Sequence, residues 1–331
     1  MKLNLKIILA VCVLSFTFMK NANAQDQSSW HAPNVSQSLL LKVVKLPNGR
    51  LVSVGERGHV LWSDDQSKTW IQANVPIRSS LTGVFFIDNK TGWAVGHDTV
   101  IINTTDGGEN WTLQNTAPII DDPQQNVEKP LFNVAFLDKN RGFAVGAYGN
   151  FMATNQGGTE WHEEYLETLD DPDFGLPHLY QIKPLKNGQL IMTGEAGFVA
   201  LGDSNILNWK RLSLDYQGSF FAVNVLNDDV LLVAGLRGNI FRSIDNGQNW
   251  QLIPTNIKNN LYSITLSPNN KIVAIGGADG VVLISHDNGQ HFLFYQKDDR
   301  KAISDLIFVD DEKLISVGED GVSDISSFLK P

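Results

Sequence analysis

The 331-residue sequence predicts an all-β fold, a seven-bladed β-propeller of four-stranded antiparallel blades. Three observations carry the prediction. A β-branched strand ending in a G-x-x-G turn recurs with its first glycine at Gly55, Gly96, Gly146, Gly194, Gly235, Gly277 and Gly318, at steps of 41, 50, 48, 41, 42 and 41 residues. A period near 40 is that of a propeller blade. Behind this turn comes a second one, S/T-x-D-x-G-x-x-W, clearest in "TTDGGENW" (Thr104 to Trp111) and "SIDNGQNW" (Ser243 to Trp250). Between the turns the chain reads as four short strands per copy, a to d, with no sustained helical period.

Residues 1–24 read as a secretory signal peptide: Lys2 and Lys6 precede an apolar run from Ile8 to Phe18, and Ala22 and Ala24 are placed for cleavage before Gln25. The run is too short to span a bilayer, which takes roughly 20 apolar residues. The expectation is export across the inner membrane to the periplasm, with residues 25–331 forming one propeller. Cys12 is the sole cysteine, so the mature chain is expected to hold no disulfide and no thiolate chemistry. Loss of Lys2, Lys6 and Lys20 would take the net charge from -10 to about -13. That acidity disfavours nucleic acid, whose phosphates need clustered Lys and Arg.

Within the blades, "LTGVFFID" alternates as a half-buried strand does, whereas "GWAVG" is continuously apolar, as expected of sheets packed face to face. The two long steps come from insertions, "QNTAPIIDDPQQNVEKP" and "ETLDDPDFGLPH", each with an Asp-Asp-Pro (Asp121 to Pro123 and Asp170 to Pro172). They read as an acidic, solvated lid, or as a cation or partner site. The seventh copy stops at Pro331 without its last turn and strand. The N-terminal "SSWHAPNV" aligns with "KTWIQANV", so Trp30 is expected at the d position and residues Ser29 to Val35 are expected to complete the last blade, closing the ring.

The second turn falls between strands c and d and is the Asp-box, or bacterial neuraminidase repeat. Its carboxylates, Asp65, Asp106, Asp245 and Asp287, are expected to accept hydrogen bonds inside their own turns. The residues that end it, Trp70, Trp111, Trp161, Trp209, Trp250 and Phe292, are expected to fold against the neighbouring blade. These carboxylates are spread around the ring and cannot converge on one substrate, so the role is structural.

The G-x-x-G turns and the d-a crossings leave on the opposite face. There the sequence places Glu56, Arg57, Arg78, His97, Asp98, Tyr148, Glu195, Tyr216, Arg237, Asp279, Glu319 and Asp320. No G-x-S-x-G, H-E-x-x-H or Walker loop occurs, and the seven histidines show no metal spacing. No catalytic residue, metal or cofactor is assigned.

Together "VGERGHVLWSDD", "GWAVGHDTVIINTTDGGENW", "RGFAVGAYG", "GSFFAV" and "GLRGNIFRSIDNGQNW" resemble the photosystem II assembly and stability factor family, and more closely its exported relatives in non-photosynthetic bacteria. The resemblance implies a non-enzymatic scaffold, expected to be monomeric, that binds a membrane-protein complex; bacterial relatives often sit beside exporters of the resistance-nodulation-division (RND) type. It also implies an arginine-lined partner surface. Arg57, Arg78 and Arg237 are the counterparts by position, and His97, Tyr148 and Tyr216 complete the candidate partner-binding set. Two other readings stand beside it. A sialidase-like glycoside hydrolase would need three converging arginines, a Tyr with a Glu partner, and an acid; "PIR" (Pro76 to Arg78) runs in the wrong order for its usual Arg-Ile-Pro. A non-catalytic carbohydrate-binding propeller would stack sugars on exposed Tyr148 and Tyr216.

Overall fold

The computed structural model describes residues 27–117, 128–170, 175–203, 208–226 and 230–330. The expected signal peptide and most of both Asp-Asp-Pro motifs lie outside them. Seven antiparallel sheets follow one another along the chain, and in each the strands are hydrogen-bonded in sequence order. The innermost a strands are Leu40–Lys45, Leu81–Phe86, Leu131–Phe136, Leu179–Pro184, Phe220–Val225, Leu261–Leu266 and Ile303–Phe308. They line one axial channel, a cavity of about 440 Å³. Each b strand is five residues long and wholly buried, which is why those segments read as uninterrupted apolar runs.

The core is a set of wedges between neighbouring blades, and the aromatic residue ending each c-d turn fills one. Trp111 of blade 2 packs with Val52, Val54 and Val60 of blade 1, and Trp209 of blade 4 packs with Phe143 and Phe151 of blade 3. Trp161, Trp250 and Phe292 sit in the same place in the next wedges, half-buried. Trp70 of blade 1 lies against Ile307, Val309 and Ile315 of blade 7. Burial of one tryptophan removes about 150 to 250 Å² from water, worth roughly 4 to 6 kcal/mol gross. Trp111, only 4% exposed, approaches that value.

One expectation is corrected. Six sheets have four strands, but the last has three, and no strand occurs among residues 27–39. Trp30 is 67% exposed and lies under the Arg78 guanidinium, 4.5 Å from its ring centroid. The segment crosses the outer end of blade 1 instead. Gln72 binds the Trp30 carbonyl at 2.8 Å and the Ala32 N–H at 2.9 Å, and Ser29 N–H donates to the Val75 carbonyl. The place a blade-7 tryptophan would fill is already occupied. Ile325, Phe328 and Leu329 of the C-terminal turn pack between blades 6 and 7, with Phe328 stacked on Tyr295.

The ends still meet. Val35 packs against Val317 and Val322 of blade 7, and the Ser36 carbonyl sits where a Cβ on Gly321 would be, 1.9 Å away. Blade 7 is joined to blade 1 through its a strand, where the Asp305 carboxylate accepts the Val43 N–H at 3.1 Å.

Candidate binding face

The seven G-x-x-G turns are built alike. The residue after the first glycine donates its N–H to the carbonyl just ahead of the a strand, as in Glu56 to Leu39, His97 to Ser80, Leu236 to Ser219 and Ala278 to Asn260. The same carbonyl lies about 2 Å from where a Cβ on the first glycine would stand: Leu39 O and Gly55, Ser80 O and Gly96, Ser219 O and Gly235. Only glycine lets the strand close so tightly, which accounts for the residue that sets the repeat. The next-but-one residue takes a left-handed conformation: Arg57, Asp98, Tyr148, Ala196, Arg237 and Asp279 have φ between 51° and 57°. Such a backbone costs an L-residue about 1 to 2 kcal/mol. Because four kinds of side chain share it over six turns, the strain belongs to the turn and not to one site.

The six partner-binding candidates separate. Arg57 is 76% exposed, 3.7 Å from Glu56, and its carbonyl accepts Ser29 Oγ at 3.1 Å. Arg78 donates to the Ser28 carbonyl at 3.0 Å, besides covering Trp30. One N-terminal segment thus meets Arg57 at its backbone carbonyl and Arg78 at its guanidinium. Arg237 stands exposed on blade 5, so the three do not share a neighbourhood. His97 Nδ1 lies 2.5 Å from Glu128. Tyr148 is 52% exposed, with its ring 4.7 Å from that of His178. Tyr216 does not meet the expectation of an exposed stacking surface. Its ring is packed on Phe220 and Phe241, its hydroxyl donates to the Leu236 carbonyl at 3.0 Å, and burial pushes its pKa up.

A further set was not foreseen. Every a strand has a register shift between its first and third residues, a β-bulge that takes the second residue out of the ladder. In blades 3 to 6 that residue is aromatic: Phe132, Tyr180, Phe221 and Tyr262, all half-buried. Their centroids follow one another at 5.7, 4.9 and 5.5 Å, an arc crossing four blades beside the G-x-x-G turns. His178 joins it to Tyr148. In blades 7, 1 and 2 the same position holds Ser304, Leu41 and Thr82, so one side of the face is aromatic and the other is not. The signal in the sequence was the aligned quartet "LFNV", "LYQI", "FFAV" and "LYSI".

The carboxylates of this face are already engaged. Glu56, Glu195 and Glu319 accept the N–H groups of Leu39, His178 and Ala302, each at the start of its own blade. Asp98 accepts from Ser79, Asp279 from Asn259, and Asp320 from Lys297 and Ser323. Glu195 also meets the Tyr180 hydroxyl at 3.3 Å. Burial first, and then the Glu195 charge, push that tyrosine's pKa up to about 12, so the phenol keeps its proton and is unsuited to act as a nucleophile. No group of three His, Cys, Asp or Glu among the described residues could hold a metal ion.

On the opposite face the turn aspartates bind inward, as expected. Asp287 accepts Ser285 Oγ, the N–H groups of Gln290 and His291, and His291 Nδ1; Asp65, Asp106 and Asp245 repeat the pattern. These bonds lower all four pKa values, those of Asp65 and Asp287 to about 2.

The model of the Photosynthesis system II assembly factor YCF48 family matches residues 62–125 and 119–256. Among solved structures, "YCF48 bound to D1 peptide" aligns with a TM-score of 0.66 and 18% identity over 86% of this chain and 92% of that one. YCF48 from Cyanidioschyzon merolae aligns at 0.67 and 18%, over 89% and 97%. The extracellular domain of a one component system from B. thetaiotaomicron aligns at 0.63 and 13%, over 87% of this chain and 38% of that one. At these identities the structural likeness shows the fold. No curated protein matches the chain by sequence.

Proposed function

The chain belongs to the photosystem II assembly factor YCF48 family, and from that premise we propose that it is a non-enzymatic scaffold whose G-x-x-G face docks an extended segment of a membrane-protein partner. The observation that carries the reading is the aromatic arc. Four rings in van der Waals succession, flanked by Tyr148 and His178, offer apolar faces with polar edges, the surface on which peptide side chains stack. A relative solved with a D1 peptide supports a peptide ligand. Exposed Arg237, on the same face, would pair with a carboxylate of the segment.

The non-enzymatic part of the proposal draws on the same geometry. The Arg78 guanidinium is taken up by the Ser28 carbonyl and Trp30, that of Arg57 stands exposed beside Glu56, and Arg237 is on another blade, so we find among these three no counterpart of the converging arginines of a sialidase. The site of action proposed is the periplasm, from the charge and length of residues 1–24. The partner proposed there is an envelope complex, an RND-type exporter being the first candidate, engaged by a monomer.

The test is a pull-down from membranes of the source cell with mature protein and with a Phe132→Ala, Phe221→Ala double variant, at matched folded concentration. Recovery of one membrane protein by the first and at least tenfold less by the second is expected. Equal recovery, or turnover of a fluorogenic glycoside by the mature protein, would overturn the reading.

A further inference from the structure

The axial channel has a polar side and an apolar side, and its polar side carries donors, Lys42, Lys183, Asn133 and Gln181, beside one carboxylate, Asp305. Asn133 Oδ1 accepts the Ile182 N–H at 3.2 Å, and Gln181 Oε1 accepts the Val223 N–H at 2.7 Å, each across a blade boundary. With both amide oxygens committed to backbone, both NH2 groups are left for the lumen they line, and among the described residues neither makes a hydrogen bond. Lys183, two residues further along the same strand as Gln181, gives one of its three hydrogens to Asn224 Oδ1 at 2.7 Å, a neutral acceptor.

The charges of the channel do not balance. Its lining holds two ammonium groups, Lys42 and Lys183, and one carboxylate, Asp305. That carboxylate is engaged by the Val43 N–H, by Ser263 Oγ and by Lys42 at 3.3 Å, and so neutralises at most one of the two ammonium groups. One positive charge is therefore left uncompensated inside a protein that is acidic as a whole. The opposite wall is apolar, with Val44, Phe85 and Ile307 facing the same cavity of about 440 Å³.

We propose that the channel binds a small organic carboxylate, with its oxygens on Lys183, Asn133 and Gln181 and its apolar body against Val44, Phe85 and Ile307. Charge-assisted bonds of this kind are the strong ones, and the low dielectric of a walled channel strengthens them. The volume holds a body the size of an aromatic ring and exceeds what a single inorganic anion needs. Burial, and then the nearby Lys42 charge, lower the Lys183 pKa to about 8, which is the cost an anion would relieve. Lys42 and Asp305 are the charged groups that face it.

Benzoate is the probe, with benzyl alcohol as its uncharged match, titrated by calorimetry into the mature protein at pH 7. Saturable benzoate binding is expected, with benzyl alcohol at least tenfold weaker. Lys183→Met, which keeps the length and removes the charge, should lose at least tenfold in benzoate affinity while retaining its circular dichroism. A measurement on the wild type alone covers the case in which that variant does not fold. Raising the pH from 7 to 10 discharges Lys183 and should weaken benzoate at least tenfold. No saturation by the wild type, equal affinity of Lys183→Met, or affinity unchanged between pH 7 and 10 would each overturn the assignment.

Discussion

Asp305 accepts the backbone N–H of Val43 at 3.1 Å, although 262 positions separate the two residues. The contact joins the last blade to the first and repeats one made elsewhere in the ring. Asn133 takes the N–H of Ile182, Gln181 that of Val223, and Ser263 Oγ that of Leu306, always from the third a-strand residue to the fourth of the next blade. Closure thus uses the ordinary bond between blades, strengthened here by a charge and by Lys42 at 3.3 Å.

Asp305→Ala should therefore lower the unfolding free energy by about 3 to 5 kcal/mol, the cost of removing one partner of a buried ion pair. Lys42→Ala should cost less, because Asp305 keeps Val43 and Ser263. Urea melts would check both, and a loss below about 1 kcal/mol for Asp305→Ala would place the closure elsewhere.

Gly235→Ala and Gly188→Ala make a matched pair. A Cβ on Gly235 would stand 2.0 Å from the Ser219 carbonyl, whereas around Gly188 nothing lies within 4 Å. The first should cost on the order of 3 kcal/mol or more, through strain in the turn. The second should cost about 1 kcal/mol, since only its φ of +81° resists the side chain. Equal melting temperatures would contradict the close-approach account of the repeat glycine.

The turn aspartates predict an acid limb. Asp65 and Asp287 have folded pKa values near 2 against an ordinary 3.8, so on acidification the unfolded chain takes the proton first. Their contribution is complete above about pH 4 and is lost as the pH falls towards 2. Asp65→Asn, at a carboxylate bonded to Ser63, Thr69 and the Lys68 N–H, should flatten that limb of a melting-temperature profile and leave its slope near neutrality unchanged.

Lys183 predicts the opposite sign. Its folded pKa, about 8, lies below the ordinary 10.5, so the buried charge destabilises at pH 7, and that cost fades between pH 8 and 10.5. Lys183→Met should raise the melting temperature at pH 7, by an increment that shrinks as the pH approaches 10. A variant less stable than wild type at pH 7 would mean that the bond to Asn224 outweighs the desolvation.

Glycine spacing and turn chemistry made the blades and their order legible, because both are local demands of the backbone. Trp30 shows where alignment stops being sufficient. It matched the d-strand pattern, but the slot in blade 7 is filled by Ile325, Phe328 and Leu329, and only packing reveals the competitor. Tyr216 shows the same limit, since Phe220 and Phe241 pack against its ring and leave it half-buried. The arc was missed because Phe132, Tyr180, Phe221 and Tyr262 look like ordinary strand residues. The bulge that turns them out of the ladder leaves no mark of its own in the sequence.

The central claim is that ligand meets this protein on the aromatic arc and its neighbouring turns. Amide hydrogen exchange with and without the membrane-protein segment recovered by the pull-down tests it most directly. Protection is expected at residues 97–99, 147–149 and 195–197 and at the starts of the a strands of blades 3 to 6, with none in the aspartate turns at residues 104–111 and 243–250. Protection confined to those aspartate turns would contradict the account.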